Sequence, residues 1–402
     1  MKKSLCLLIG LTVAASAMLS GCGTDGSDAQ ATTIAATEKT EAASPNKDFM
    51  SWLSSSDEAR QDYEYDFVAV KQKSEEITDN LNRITTESGF SGSVYMKLGN
   101  DFEYINSKGY ADISDRVKNS ITGCFYTGGF TRQLTAAAVL KLAEEGKFDL
   151  DDKLEKYFPV YDHGDEITVR DLLSMKSGIK DYAKTENSYN DDISINEELR
   201  SKISSDNTAG ENRQIVYDWI VSQELVSKPG TLFSESDSDY FLLGEIIADV
   251  SKMSYEEYIS ESILKPLGMK SSGFAPDDSL ATAYEGELDD SGMRFPGVGY
   301  SSFGLISSVS DITKWIDGLL GEKIISKKSL DLMLGRDGKT NGYGVYVGSR
   351  YVSSVGSVDN YSSKVAFTAD KSEIFIALTN YAHSSPALLH SQYRNYLLKY
   401  KI

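Results

Sequence analysis

A serine hydroxyl becomes a nucleophile when a neighbouring group takes its proton. A lysine three residues further along a helix can be that group, because positions three apart share a face. The chain has this spacing at Ser44/Lys47, Ser177/Lys180 and Ser262/Lys265. Three-residue patterns of common residues also arise by chance, and the first pair lies in a stretch too polar to build a core. Two carboxylates, Glu235 and Asp237, stand two positions apart; paired carboxylates support hydrolysis when their separation suits a water or a nucleophile. Arg132 carries a guanidinium, which keeps its proton and is a poor general base. The histidines His163, His383 and His390 are isolated and read as surface or packing residues. They show no metal-ligand spacing with one another or with Cys124, so neither a metal nor a cofactor is expected.

These residues need elements to position them. Residues 125–137 read as a strand end running into a helix. Gly128 and Gly129 break the chain, and 131–142 are good helix formers with apolar residues at helical spacing. Val70, Ile77, Leu81 and Ile84 mark an earlier helix that Gly89 stops. Residues 92–98 and 102–105 form a hairpin around a Gly-Asn-Asp turn. The polar stretch 184–214 reads as a surface excursion, with a helix over 215–225. Near the end come strands at 344–348, 363–368 and 374–379, then a helix from Pro386 capped by Ser385. Strands at both chain ends with helices between them predict an α/β chain of the α+β type. One antiparallel sheet is built from both ends and flanked by helices, with a helical lobe over about 120–290.

The phrase Phe-Tyr-Thr-Gly-Gly-Phe-Thr-Arg-Gln-Leu at 125–134 resembles the opening of the catalytic helix in serine β-lactamases, D-alanyl-D-alanine peptidases and related esterases. Further phrases match in the same order: Leu-Ala-Glu-Glu-Gly-Lys-Phe-Asp-Leu at 142–150, Ile-Thr-Val-Arg-Asp-Leu-Leu-Ser-Met-Lys-Ser-Gly at 167–178, and Leu-Lys-Pro-Leu-Gly-Met at 264–269. The resemblance runs from about residue 65 to 402 and implies a β-lactamase/transpeptidase-like fold. It also implies three landmarks for acyl transfer to a serine. Where the family has Ser-x-x-Lys, this chain has Gly129 and Arg132. Where the family has Tyr-x-Asn, it has Glu235 and Asp237. Where the family has Lys-Thr-Gly or His-x-Gly on a strand, it has Val355-Gly356-Ser357. Glycine offers no atom to acylate, and valine carries no proton to transfer. The resemblance therefore implies an abandoned acyl-transfer site. Arg132 is expected to face Glu235 and Asp237 and to pair bidentately with a carboxylate. Arg132, Glu235, Asp237 and Ser357 are the candidates for ligand contact in the old cleft. The leading expectation is a non-catalytic protein that binds a cell-wall peptide or a protein partner. The alternative is a hydrolase with rebuilt chemistry, using Glu235 and Asp237 or a serine of the polar rim.

Lys2 and Lys3 precede an apolar run over 5–18, and Leu19-Ser20-Gly21-Cys22 follows. This reads as a signal segment over 1–21 that resembles a bacterial lipobox, with Cys22 as the lipidated residue. It predicts an extracytoplasmic protein held on the membrane by its acyl chains. Residues 22–60 read as a disordered tether and 61–402 as the folded domain. With Cys22 acylated and Cys6 removed, Cys124 has no disulfide partner. Sixty acidic residues against 41 basic ones, a formal charge of −19, argue against a nucleic-acid partner, which needs a positive footprint.

Overall fold

The computed structural model describes residues 67–183, 195–285, 295–336 and 342–400. The signal segment, Cys22, the tether, Ser44/Lys47 and residues 184–194 of the polar stretch lie outside these. The first long helix, α1 (Ser74–Glu87), buries Ile77 and Leu81. The hairpin β1 (Gly92–Leu98) and β2 (Phe102–Lys108) follows, then a short ribbon of β3 (Tyr110–Asp112) and β4 (Val117–Lys118). Strand β5 (Cys124–Tyr126) leads through a tight turn at Gly128–Phe130 into α2 (Thr131–Glu144). The helical part includes α3 (Ala209–Val221) and α4 (Asp237–Ser251). It returns through β6 (Ile306–Ser308) and α5 (Val309–Leu320). The last section supplies β7 (Tyr346–Val347), β8 (Val352–Val358), β9 (Tyr361–Phe367), β10 (Glu373–Thr379) and α6 (Pro386–Lys399).

The main sheet has the order β2-β1-β10-β9-β8-β7, and every adjacent pair is antiparallel. Strands from the two ends of the chain therefore meet at β1 and β10, as the residue pattern predicts. Alternation along β10 explains why both of its faces are covered. Ile374, Ile376 and Leu378 join the core shared with the helical part. Phe375 and Ala377 join a second core with Ile77 and Leu81 of α1 and Leu389 and Tyr393 of α6. Ser385 caps α6 by accepting the Leu388 N–H.

Two differences from the residue reading have local causes. Helix α3 starts at Ala209, not 215, because Thr208 and Glu211 form a reciprocal capping box. Strand β8 holds Val355-Gly356-Ser357, which the resemblance sets on a strand, but the residue pattern alone does not mark it: Val-Ser-Ser-Val-Gly-Ser-Val lacks both period-2 alternation and a dense apolar run.

Helix α2 holds the site and is buried almost all round from Thr131 to Leu142. Ala136, Ala137 and Ala138 let neighbouring elements approach closely. Its polar side chains are satisfied internally, as burial requires. Gln133 donates to Ser354 Oγ at 3.1 Å and accepts from Trp315 Nε1 at 2.9 Å. Thr131 Oγ1 donates to the Gly128 carbonyl at 2.8 Å and accepts the Leu305 N–H at 3.0 Å. These contacts tie α2 to β8, α5 and the segment before β6, so its first turn is fixed from three sides.

Lys364 of β9 is almost fully buried. Burial, then the nearby Arg394, lowers its pKa from 10.5 to about 8. The folded state therefore binds fewer protons than the unfolded chain between those values, and this residue's contribution to stability rises with pH across that window. Urea unfolding of wild type and Lys364→Met at pH 7.5 and about pH 9.5 checks this. Wild type is expected to gain stability relative to the variant at the higher pH.

Candidate functional site

Three stretches of backbone meet at the start of α2: the turn at 127–130, the first turn of the helix, and β8. They meet closely. Gly128 has φ +55°, and a Cβ built there would stand 2.8 Å from Gly356 Cα and Ser357 N. A Cβ on Gly356 would stand 2.3 Å from the Thr127 carbonyl oxygen. Only paired glycines permit this approach. Ser363 Oγ donates to the same Thr127 oxygen at 2.7 Å and locks the strand layer to the turn.

Gly129 is the centre of the arrangement. A Cβ at this position would lie 2.3 Å from Arg132 Nη2 and 2.6 Å from the Val355 carbonyl oxygen. The volume that a side chain at 129 would need is already filled by a guanidinium from the helix and a carbonyl from β8.

Arg132 is 6% exposed. Its Nε donates to the Gly129 carbonyl at 3.3 Å and its Nη2 to Glu235 Oε1 at 2.7 Å. Nη1 lies 3.9 Å from Asp237 Oδ1 and donates no hydrogen bond. Both carboxylates thus face Arg132, but the bidentate pair expected from the residues is not formed. The guanidinium is shared between two carboxylates that leave the chain on either side of Ser236, the cap of α4. Burial alone would lower the Arg132 pKa. Glu235, Asp237 and Tyr346 outweigh it, so the group sits above its ordinary value and stays charged.

The carboxylates are held in turn. Glu235 Oε2 accepts a short hydrogen bond from Tyr346 of β7. Asp237 accepts from Ser302 Oγ, and its N–H donates to Asp181 Oδ1 at 3.1 Å. Asp237 and Asp239 lie in the first turn of α4, where the helix dipole favours negative charge. Burial raises the Asp239 pKa well above the ordinary carboxylate range, against the hydrogen bond from Ser177.

Of the other residues singled out, Val355 lines the cavity beside Gly129. Ser357 does not. Its Oγ donates to the Tyr361 carbonyl at 3.4 Å. Ser177 is buried on Asp239, whereas the Lys180 ammonium lies over the Trp219 ring 5.7 Å from its centroid. Lys265 pairs with Glu261. Neither pair makes a hydroxyl–amine dyad. His163 bonds Glu166 and Glu224, and His390 stacks on Phe375 at 4.3 Å.

The residue reading missed Tyr346, Ser302 and Asp181. No short-range pattern marks them, because the fold brings each from a different element. It also missed the apolar wall of Leu173, Met175, Phe233 and Val345. The interior left between that wall and Arg132 has room of only about 20 Å³ for a water-sized body, about one water.

A sheet from both chain ends, a buried helix that opens at a turn beneath an inner strand, and a helical lobe define a β-lactamase/transpeptidase-type fold. The chain belongs to the beta-lactamase family, whose model matches residues 82–398. It is 26% identical over 328 residues to PbpX of Bacillus subtilis (strain 168), covering 77% of this chain and 75% of that one. It is 29% identical over 317 residues to Protein flp of Staphylococcus aureus (strain NCTC 8325 / PS 47). That match covers 72% of this chain but only 58% of the relative. Among solved structures, a penicillin binding protein from Bacillus halodurans has a TM-score of 0.66 at 21% identity, covering 78% of this chain and 98% of that one. FmtA from Staphylococcus aureus has 0.65 at 19%, covering 91% and 97%. A D-amino acid amidase from Ochrobactrum anthropi SV3 has 0.67 at 20%, covering 81% and 100%. These structural likenesses concern the fold.

Gly129→Ala places a methyl group in the occupied volume. Overpacking of a tight interior costs about 1–3 kcal/mol, so the variant is expected to melt several degrees lower than wild type by circular dichroism. Unchanged melting would show that the space is free.

Proposed function

We propose that this protein is a non-catalytic member of its family, held at the outer face of a membrane and binding a ligand or partner of the cell envelope. The observation that carries this reading is the occupied volume at Gly129. Acyl transfer needs an oxygen nucleophile, a proton acceptor beside it and space for a tetrahedral carbon. Here the nucleophile position has no side chain, and Arg132 Nη2 and the Val355 oxygen fill the space around it. The group at the base position is a guanidinium, fixed in its charged form by Glu235 and Asp237. The same engagement removes the motive for reading Glu235 and Asp237 as an acid/base pair, because Glu235 is hydrogen-bonded to Arg132 and Tyr346, and Asp237 accepts from Ser302 while facing Arg132. The relatives and neighbours named as penicillin-binding proteins favour a role near the cell wall.

Incubating the purified domain with a fluorescent penicillin and with a fluorophosphonate probe tests the reading. No covalent band is expected with either. A labelled serine located by peptide mass spectrometry would overturn it.

The membrane part of the proposal rests on Cys22 and the apolar run before it. A multiply acylated cysteine partitions firmly into a bilayer, since each buried CH₂ contributes about 0.8 kcal/mol. Wild type is expected in the membrane fraction of expressing cells and Cys22→Ser in the soluble fraction or the medium. Equal membrane association of the two would contradict lipid anchoring through Cys22.

A further inference from the structure

The face of the sheet covered by α1 and α6 holds a group of buried charges that the old cleft does not use. His390 of α6 is 8% exposed. Its ring stacks on Phe375 of β10, 4.3 Å between centroids and 20° between planes, and meets Tyr351 edge-on at 5.7 Å. Aromatic rings on two sides suit a neutral imidazole. The charged neighbours are mostly positive. Arg394, one turn further along α6, lies over the Tyr351 ring, 5.0 Å from its centroid, and its Nε is buried without an acceptor. Lys364 of β9 stands opposite Ala377 of β10, so its buried side chain shares the face that Ala377 gives to the second core. The carboxylate of the group is Glu373 of β10, also buried. It accepts from Arg350 Nε at 2.8 Å and from the Tyr351 hydroxyl. Helix α1 meets α6 further on, where Glu76 and Arg83 lie near Tyr396.

A proton on His390 adds a positive charge beside Lys364 and Arg394. Glu373 is already engaged by Arg350 and Tyr351. Burial first, then Lys364 and Arg394, hold the His390 pKa well below its ordinary value. The face of Phe375 attracts a cation, but a ring quadrupole is weaker than two full like charges in a buried group. Lys364 itself titrates at about 8, so both cations are present throughout the range in which an ordinary histidine takes up its proton.

We infer that His390 is an acid-sensitive joint between α6 and the sheet, where a proton taken up weakens the docking of the helix. In the unfolded chain the residue titrates at about 6.5. The folded protein resists that proton, so below this value the unfolded state binds more protons. The stability that His390 contributes is complete above about pH 6.5 and is lost as the pH falls. The inference concerns the far face of the sheet and holds whatever the old cleft does.

NMR of the histidine ring protons in the purified protein tests it, from about pH 8 down to about pH 5. The chain has three histidines, and His163→Gln and His383→Gln assign their signals. The His390 signal is expected to stay at its neutral position until well below about pH 6.5. In Lys364→Met its titration is expected to move up towards that value, because one neighbouring cation is gone. Urea unfolding of wild type, His390→Gln and His390→Phe at about pH 7.5 and about pH 5.5 gives the stability readout. Between these the unfolding constant of wild type is expected to rise about tenfold more than that of either variant, the ratio set by the unfolded histidine's own titration. Other titrating groups act on wild type and variants alike. A His390 signal that titrates at the ordinary value overturns the inference, as does an equal loss on acidification in wild type and both variants. If neither His390 variant folds, the titrations of wild type and Lys364→Met decide: an upward shift in Lys364→Met supports the joint, and no shift overturns it.

Discussion

Two groups cannot share one volume, and the rest of the site follows from how that rule is met at Gly129. A guanidinium nitrogen and a strand carbonyl occupy the place where a side chain on this residue would stand. The glycine is therefore part of the packing. It lets Arg132 fold back over its own helix turn and lets β8 settle onto the turn through the facing glycines at 128 and 356. Once Arg132 is there, it needs negative partners, because a buried unpaired charge is costly. Glu235 and Asp237 supply them from the start of α4, where the helix dipole and the Ser236 cap already favour carboxylates. Tyr346 then bonds the Glu235 oxygen that Arg132 does not reach, and Ser302 bonds Asp237 Oδ1, the oxygen that faces Arg132 Nη1. The cluster is a set of mutually dependent residues, each suited to its place only if the others are present.

A buried ion pair is weak evidence for stability, because desolvation offsets much of its Coulomb gain. Its value here is positional. The Arg132 fork joins the first turn of α2 to the first turn of α4, and Tyr346 extends the join to the edge of the sheet. Helical part and sheet are thus linked at the start of α2 by polar contacts. The frame itself does not depend on those contacts. It rests on two apolar cores, one on each face of the sheet, the larger of which includes Phe130 of the turn itself.

Much of this was readable in the residues. The stripe of α1, the β1–β2 hairpin and the helix from Thr131 announce themselves through periodicity and turn residues, and the order of the family phrases gives the fold. The facing of Arg132 with Glu235 and Asp237 also follows from the resemblance, which sets these residues at facing positions of the fold. What the residues could not give is contact geometry. Nothing local says that the fork is divided between two carboxylates instead of gripping one. Tyr346 sits in a strand of two residues and joins the site only because β7 closes the sheet edge. Strand β8 hides behind serines and a glycine, and that composition is what its close approach to the turn requires. Ser357, singled out by its place in the phrase, bonds the Tyr361 carbonyl and does not line the cavity, although strand alternation puts it on the same face as Val355.

The central claim is that the nucleophile's volume is filled by the chain itself, and a crystal structure of the folded domain addresses it most directly. The account predicts electron density for the Arg132 guanidinium packed against Gly129, within hydrogen-bond distance of Glu235, with the Val355 carbonyl closing the other side. An Arg132 side chain swung away from both carboxylates, leaving a side-chain-sized space open over Gly129, would contradict it.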